Sequence, residues 1–331
     1  MVQVVSTVLA RLQREKRRKE EEESLPEAQR HAEEQEQESL PSETIEAPEG
    51  ADGEKSVVLW LLDNECIERQ PKQPLGSTQV ADMFATELGG VDMVMKVMRA
   101  HARTFVEAAL LLRLDGRAGA PRLLGYGAER PMLLLESLPG CNFLFLLQDA
   151  AAPLSLHLQV VLRVVHHLQE MHALGIVHND VAIPNVVVHV DADYQLRDVR
   201  LVEFTVASPS GDTLALDADP AALPCVAPEV ARGGASTPAA DVFSLGALLR
   251  EVSQVKASAD ELPLQAQEAA RLATVEEPQA RPDLRALEEL LRQAVAWQKN
   301  KERRRSGKKA RRQRAKEGAA ASEEGASRQA H

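Results

Sequence analysis

Near the middle of the chain, the stretch VHNDVAIPN, residues 177–185, carries side chains suited to acid–base and metal chemistry. Asp180 stands five residues before Asn185, between an apolar helical run and an apolar strand-like run. A carboxylate can take a proton from an attacking hydroxyl, and an amide oxygen can bind a hard cation. Loop Asn and Asp residues also often satisfy backbone groups, so this pair alone fits either catalysis or ordinary turn formation.

Two lone charges interrupt apolar runs earlier in the chain. Lys96 lies within MVMKVM, and Glu107 lies eleven residues later within TFVEAALLL. A lysine on an edge strand can reach solvent along its own stem, which is the simple interpretation of Lys96. A buried unpaired charge is very costly, however, and both runs are typical of buried elements. We therefore expect Lys96 and Glu107 to form an ion pair.

The elements that must position these residues form two groups, which together predict an α+β fold. Residues 57–100 show short strand-like runs, with Gly89–Gly90 as a hairpin turn, and residues 104–114 predict a helix. After Pro139–Gly140 the pattern becomes mainly helical. There we predict a long helix ending at Gly175, strands at VVVHV and RLVEF, an apolar helix at ADVFSLGALLREV, and a last helix after Pro282. A small β-rich lobe with one helix should precede a larger helical lobe.

Composition divides the 331 residues into one folded body between two charged tails. Residues 1–55 form an acidic segment, poor in large apolar residues, that we expect to be disordered. The body should span residues 56–296, with its lobes at about 56–136 and 137–296. Residues 297–331 should form a second disordered tail, in which residues 297–316 hold eleven Lys and Arg against one Glu. Such a basic stretch can bind an import receptor, nucleic acid without sequence preference, or acidic lipid, and it can also be a solvated tail or fold back on the acidic body.

Sequence features also bear on the compartment. We find no apolar run of the roughly 20 residues that a membrane span needs. The three cysteines, Cys66, Cys141 and Cys225, lack metal-ligand spacing and are typical of reduced thiols. These features predict an intracellular protein of the cytoplasm, the nucleus or both.

The order of these features resembles the protein kinase superfamily over about residues 57–295. The resemblance implies that Lys96 and Glu107 serve the nucleotide phosphates, that Asp180 is the catalytic base, and that Asn185 binds metal. It also places the hinge at LLLESLPG, with Leu135 as gatekeeper and Glu136 and Leu138 at the nucleotide. ATP and Mg²⁺, or Mn²⁺ in its place, are the implied cofactors.

Small-molecule phosphotransferases also carry an HND loop, but they lack the downstream pattern found here. Ala227-Pro228-Glu229 is followed by Asp241 in DVFSLG, which is specific to the protein-kinase branch. The resemblance implies that Glu229 pairs with Arg281 and that Asp241 anchors the catalytic loop. The residues with such fold-maintaining roles would be His178, Phe204, Glu229, Asp241 and Arg281.

Several positions depart from the family pattern. Glu203, with Phe204, stands where the metal-binding aspartate is expected, and Thr205 replaces the next glycine. Glutamate keeps the charge but is one methylene longer, which should weaken Mg²⁺ binding because that ion demands near-ideal geometry. The glycine-rich loop keeps only Gly76, so Thr78 and Ala81 should loosen its grip on phosphates.

Other departures concern regulation and substrate. Asn179 replaces the arginine that would hold an activation-segment phosphate, so activation of that type is not expected. Ala182 and Ala222 replace a lysine and a threonine that serine/threonine kinases place near the reacting groups. We interpret the nearby hydroxyl residues as solvated loop residues, namely Ser208, Ser210 and Thr213.

The sequence therefore predicts a divergent protein kinase that transfers the γ-phosphoryl group of ATP to a Ser or Thr hydroxyl of an unidentified protein substrate. The alternative is a pseudokinase that binds nucleotide or acts as a scaffold. A small-molecule kinase is the third candidate.

Overall fold

The structure is a computed structural model that describes residues 60–62, 72–78, 80–99, 101–127, 130–214, 219–256 and 262–329. At 60–62, 101–103, 222 and 309–329 it describes the backbone alone. The predicted acidic tail at 1–55 and the thiol of Cys66 therefore lie outside the described residues.

A six-stranded sheet forms the N-terminal lobe, in the order β1-β5-β6-β4-β3-β2. Its strands are β1 (Trp60–Leu62), β2 (Gln73–Ser77), β3 (Ala81–Leu88), β4 (Val91–Met98), β5 (Leu123–Gly127) and β6 (Met132–Glu136). β1 pairs parallel with β5, and the pairings from β5 through to β2 are antiparallel. The β3–β4 hairpin turns at Gly89 and Gly90, whose φ angles of +61° and +80° suit glycine, so the predicted turn is confirmed.

One helix, α1 (His101–Leu114), accompanies this sheet. Its apolar face buries Phe105, Leu110, Leu111 and Leu114 in the main core. The helix begins three residues before the predicted start at 104 and ends at the predicted residue, where Asp115 and Gly116 take positive φ. Because helical residues three and four apart share a face, Glu107 lies on the same buried side as Leu110 and Leu111.

The C-terminal lobe is mainly helical, as predicted. Its helices are α2 (Phe143–Gln148), α3 (Leu154–Ala173), α4 (Pro228–Ala231), α5 (Pro238–Lys256), α6 (Leu264–Ala273) and α7 (Leu284–Gln329). Its strands are β7 (Cys141–Asn142), β8 (Ile176–Val177), β9 (Val186–Val190), β10 (Leu196–Leu201) and β11 (Ser208–Pro209). β10 begins four residues before the predicted strand RLVEF and ends at Leu201, three residues before the end of that prediction, so Glu203 lies beyond the strand.

The two-lobed α+β fold is thus confirmed. A single buried cluster joins both lobes, with Phe105 and Leu133 on one side and Leu158, Val165 and Leu248 on the other. A smaller cluster lies within the sheet itself and includes Met93, Met95, Met132 and Leu134. No helix of the described part of the chain is long and apolar enough to span a membrane.

Helix α7 continues without interruption past residue 296, where the sequence predicts the folded body to end. Gln298 is buried, and its Nε2 donates to Oε1 of Glu302 at 3.0 Å. Glu302 also accepts from the backbone N–H of Ser155 at 3.0 Å and from its hydroxyl at 2.6 Å. Ser155 lies in the first turn of α3, whose N-cap is Pro153 and has no side-chain cap. The packed part of α7 therefore includes Glu302. Its carboxylate is the acceptor for a backbone N–H in the first turn of α3, where such groups have no partner within the helix.

We expect Glu302→Ala to lower the free energy of unfolding by about 1–2 kcal/mol, the usual cost of losing a helix N-cap. Urea denaturation followed by circular dichroism measures this change. Glu289→Ala is the matched control, because Glu289 lies on the same helix and bonds only the exposed Gln293 side chain among the contacts described. Equal effects of the two substitutions would show that Glu302 does not cap α3.

Candidate active site

The loop that follows β8 is fixed by a buried aspartate of α5. Asp241 is fully buried, and its carboxylate accepts the backbone N–H groups of His178 at 2.9 Å and Asn179 at 2.7 Å. It also bonds Nε2 of His172 at 2.8 Å. The ring of His178 packs against that of Phe204 with centroids 4.8 Å apart. Residues 178 and 179 therefore have a defined backbone, and Asp180 follows directly.

Asp180 and Asn185 contact each other across the loop. Nδ2 of Asn185 donates to the Asp180 backbone carbonyl at 2.9 Å and to its Oδ2 at 2.8 Å. Because the amide nitrogen is used in this way, Oδ1 of Asn185 is the atom suited to a cation. Burial raises the pKa of Asp180, against the lowering effects of His178 and the Asn185 hydrogen bond. A raised pKa favours a carboxylate that takes a proton.

Lys96 and Glu107 form the predicted ion pair, and two further residues join it. Nζ of Lys96 lies 2.8 and 3.0 Å from the two carboxylate oxygens of Glu107. It also lies 2.5 Å from Oε1 of Glu203 and 2.8 Å from the hydroxyl of Thr205. The Thr205 hydroxyl lies 2.6 Å from Glu203 and 3.1 Å from Glu107. We call these four residues the lysine cluster; β4, α1 and the segment after β10 supply them.

The cluster holds one cation and two carboxylates. Burial opposes the charge on Lys96, but Glu107 and Glu203 outweigh it and raise the pKa of the ammonium. Burial raises the pKa of Glu107 more than the shared lysine lowers it. Burial also acts against Glu203, but there the lysine charge and hydrogen bonds prevail, so the pKa of this carboxyl is lowered. The two carboxylates thus favour the charged form of the lysine, and the lysine in turn favours the ionised form of Glu203.

The β9–β10 hairpin brings Asn185 opposite Val202, the residue that precedes Glu203. Asn185 immediately precedes β9, Glu203 follows the end of β10, and the N–H of Val202 donates to the Asn185 carbonyl at 2.9 Å. Glu203 itself has φ +69°, an uncommon backbone angle for a residue other than glycine.

These residues fit a hard divalent cation. The Asn185 amide and the Glu203 carboxylate supply oxygen donors of the kind Mg²⁺ prefers. Within the described residues, no three His, Cys, Asp or Glu side chains cluster so as to hold a metal ion by themselves. Mg²⁺ is commonly held by one or two protein oxygens together with substrate phosphates.

The turn between β2 and β3, at the eroded glycine-rich motif, is closed by Thr78. The Thr78 hydroxyl accepts from the backbone N–H groups of Val80 at 3.3 Å and Ala81 at 3.1 Å. The Thr78 N–H donates to the Ala81 carbonyl at 2.8 Å, while Gly76 lies exposed on β2. Amides at this turn are therefore already bonded within the protein. This supports the expectation of a weakened phosphate grip and supplies its physical reason.

Arg200 holds the hinge region and was not singled out from the sequence. Its guanidinium donates to Oε2 of Glu136 at 3.0 Å, to the Ala120 carbonyl at 2.8 Å and to the Gly119 carbonyl at 3.1 Å. The Glu136 side chain therefore links the end of β6 to β10. Leu135 packs against the main core, and Leu138 is half-buried beyond the strand. No local sequence signal marks Arg200, since arginines of this kind are common on exposed strands.

The activation-segment region matches the sequence interpretation in part. Arg281 makes two hydrogen bonds to Glu229, at 2.7 and 2.8 Å, and packs over the ring of Phe243. Ser210 and Thr213 are exposed, as expected. The interpretation of Ser208 as a solvated residue is wrong: it is only 3 % exposed, because β11 pairs with β8 and brings Ser208 opposite Val177.

Two alanines, Ala182 and Ala222, stand where the family pattern has a lysine and a threonine. Ala182 is half-buried just before the short turn Ile183–Asn185, and the backbone of Ala222 lies in the turn Pro220–Ala222.

Cys225 lies before α4. Mainly burial, and secondarily Glu251, raises the pKa of its thiol to about 12. Cys225 is therefore a protonated thiol of low reactivity.

Comparison with known proteins agrees with this geometry. The family model described as "Protein tyrosine and serine/threonine kinase" matches residues 75–313. The serine/threonine-protein kinase PknL of Mycobacterium tuberculosis is 33 % identical over 150 residues, covering 44 % of this chain and 37 % of PknL. The DNA damage-responsive serine/threonine-protein kinase RqkA of Deinococcus radiodurans is 30 % identical over 196 residues, covering 54 % of this chain and 28 % of RqkA.

The matches thus span about a third of the length of these curated relatives. The family model covers most of the chain, from β2 to within α7, and it contains the lysine cluster, the Asp180–Asn185 pair and the Glu229–Arg281 pair. The chain belongs to the protein tyrosine and serine/threonine kinase family.

Proposed function

We propose that the protein transfers the γ-phosphoryl group of ATP to a Ser or Thr hydroxyl of a protein substrate. The observation that carries this proposal is the presence of two side-chain pairs: Lys96 bonded to Glu107, and Asp180 bonded to Asn185. Burying a charged lysine at 2 % exposure is costly, and phosphate binding is a function that an ammonium at this position would serve.

Each residue has a role that follows from its surroundings. Asp180 orients the attacking hydroxyl and takes its proton, aided by a raised pKa. Lys96 contacts phosphate oxygens while Glu107 keeps the ammonium in place. Asn185 and Glu203 would hold Mg²⁺, or Mn²⁺, which supplies charge neutralisation on the phosphates when bound. Gly76, Glu136 and Leu138 would line the nucleotide site at the β2–β3 turn and the hinge.

A pseudokinase is the second candidate, and the Thr78 turn favours it. The N–H groups of Val80 and Ala81 are bonded to Thr78, so they are not ready to receive phosphate oxygens. In that case the chain would bind nucleotide weakly or act as an interaction module. A small-molecule kinase is disfavoured by the Glu229–Arg281 pair and the anchoring Asp241.

Two measurements on the purified chain separate the candidates. Labelled ATP with Mg²⁺ or Mn²⁺ should label the chain itself, casein or myelin basic protein at Ser or Thr. A thermal-shift titration with ATP, with and without metal, should raise the melting temperature, because a ligand of the folded state stabilises it. A thermal shift without phosphoryl transfer supports the pseudokinase. If ATP causes neither a thermal shift nor transfer, both nucleotide-dependent functions are rejected.

We expect Glu203→Asp to raise the transfer rate, because aspartate shortens the side chain and releases Oε1 from its bonds with Lys96 and Thr205. A carboxylate freed in this way can approach the near-octahedral geometry that Mg²⁺ demands. The rate is measured at a series of Mg²⁺ concentrations, where the metal needed for half-maximal rate should fall. An unchanged or lower rate would instead place the defect at the Thr78 turn.

The basic part of α7 suggests a binding partner and a cellular compartment. We propose that residues 299–316 bind an import receptor or, without sequence preference, nucleic acid, and that the protein works in the cytoplasm, the nucleus or both. The exposed arginines Arg303, Arg304 and Arg305 support this. Binding to duplex DNA should weaken steeply with added salt if phosphate contacts carry it.

A further inference from the structure

Asn179 directly precedes the proposed catalytic aspartate, and its side chain is buried in a polar network. The residue is only 1 % exposed. Its Nδ2 donates to the Val206 carbonyl and to the Ser208 hydroxyl, each at 3.1 Å. Its Oδ1 accepts from the Ser236 hydroxyl at 2.8 Å. The amide thus joins the loop of Asp180 to two segments 27 and 57 residues further along the chain.

The backbone of Asn179 is defined as closely as its side chain. Its φ of +65° lies in the left-handed region, which asparagine tolerates better than most residues other than glycine. Its N–H donates to Asp241 at 2.7 Å. Since Asp180 is the next residue, the direction of its carboxylate depends on this arrangement.

We propose that Asn179 is a positioning residue that holds Asp180 and the segment 206–208 in their working arrangement without phosphorylation of the exposed residues that follow, Ser210 and Thr213. This rests on the proposed phosphoryl transfer. The network contains only neutral partners around the amide, and they already satisfy its donors and acceptor. Asn179 also bonds the Asp241 carboxylate through its backbone N–H, and a phosphate buried near that carboxylate would be costly. The exposed hydroxyls of Ser210 and Thr213 follow residues 206–208 along the chain and lie outside this network.

Asn179→Gly is the sharpest test, because glycine accepts the positive φ while the amide is lost. We expect kcat to fall at least about tenfold, because misplacing a reacting group by about 1 Å can cost as much as about 10²-fold. The KM for ATP should stay within about twofold, because Lys96 and Glu107 are unchanged. Ser236→Ala, which removes one bond of the network, should give an intermediate kcat. An unchanged kcat for Asn179→Gly, or a change confined to KM, would overturn the proposal.

Independence from phosphate has its own test. Phosphatase-treated wild-type protein and the Ser210→Ala/Thr213→Ala double variant should keep the wild-type kcat. A large loss in either would overturn the phosphate-independent role.

Hydrogen exchange distinguishes failure of this inference from failure of the proposed function. The backbone amides of 206–208 should exchange faster in Asn179→Gly than in wild type, whether or not the wild type transfers phosphate. Equal exchange would overturn the positioning role. Faster exchange in Asn179→Gly, combined with a wild type that transfers no phosphate, would reject only the phosphoryl transfer.

Discussion

Asp180→Ala should lower phosphoryl transfer by about 10²–10⁴-fold, the usual contribution of a positioned general base. The substitution removes the carboxylate that takes the hydroxyl proton. It also removes the Oδ2 partner of Asn185, so the amide loses one of the two bonds that orient it. Initial rates with labelled ATP measure the effect, which should appear mainly in kcat because the lysine cluster is untouched.

Asp193→Ala is the matched control for Asp180→Ala. Asp193 is an exposed aspartate on the turn between β9 and β10, in the same lobe, and the same atoms are removed. Its rate should stay near that of the wild type. If Asp180→Ala kept more than about a tenth of the wild-type rate, Asp180 would not act as a general base.

Lys96→Met should lower the free energy of unfolding by about 3–5 kcal/mol, the usual cost of leaving a buried charge without its partner. Methionine fills a similar volume, but Glu107 and Glu203 would then share the cluster with only the Thr205 hydroxyl between them. The melting temperature should fall by on the order of 10 °C. Stabilisation by ATP should disappear as well, because the phosphates lose their ammonium contact.

The double variant Lys96→Met/Glu107→Gln should recover part of this stability, since it removes one of the two carboxylates. The deficit of the single variant should also shrink between pH 7 and pH 5, because a protonated carboxyl carries no buried charge. Lys72→Met is the control, as Lys72 is an exposed lysine of the same lobe. A loss below about 1 kcal/mol for Lys96→Met would indicate that the cluster is hydrated in solution.

The lysine pair illustrates how far local sequence can go. Lys96 and Glu107 each interrupt an apolar run. If both runs are buried, an ion pair between the two residues avoids the free-energy cost of two unpaired buried charges. The sequence did not indicate that Glu203 and Thr205 would complete the cluster. These two contacts link Lys96 to side chains that lie 107 and 109 positions further along the chain. They depend on how the two lobes pack against each other.

Ser208 and Asn179 make contacts that the local sequence did not predict. A serine in a stretch of Ser, Pro and Gly is typical of a solvated loop, and the sequence predicted that for Ser208. Its burial arises from the pairing of β11 with β8 and from the amide of Asn179. The missing arginine at position 179 was visible in the sequence, but the network that replaces it was not.

The sequence by itself determined the family, the two-lobed α+β fold and the residues available for chemistry, because motif spacing and apolar periodicity are local properties of the chain. Only the tertiary structure decided what those residues contact. It bonded Thr78 to the turn amides, added Glu203 and Thr205 to the lysine pair, and brought Glu302 to the start of α3. Each of these is a hydrogen bond or ion pair whose geometry is set by packing, and for the last three that packing is between segments distant along the chain.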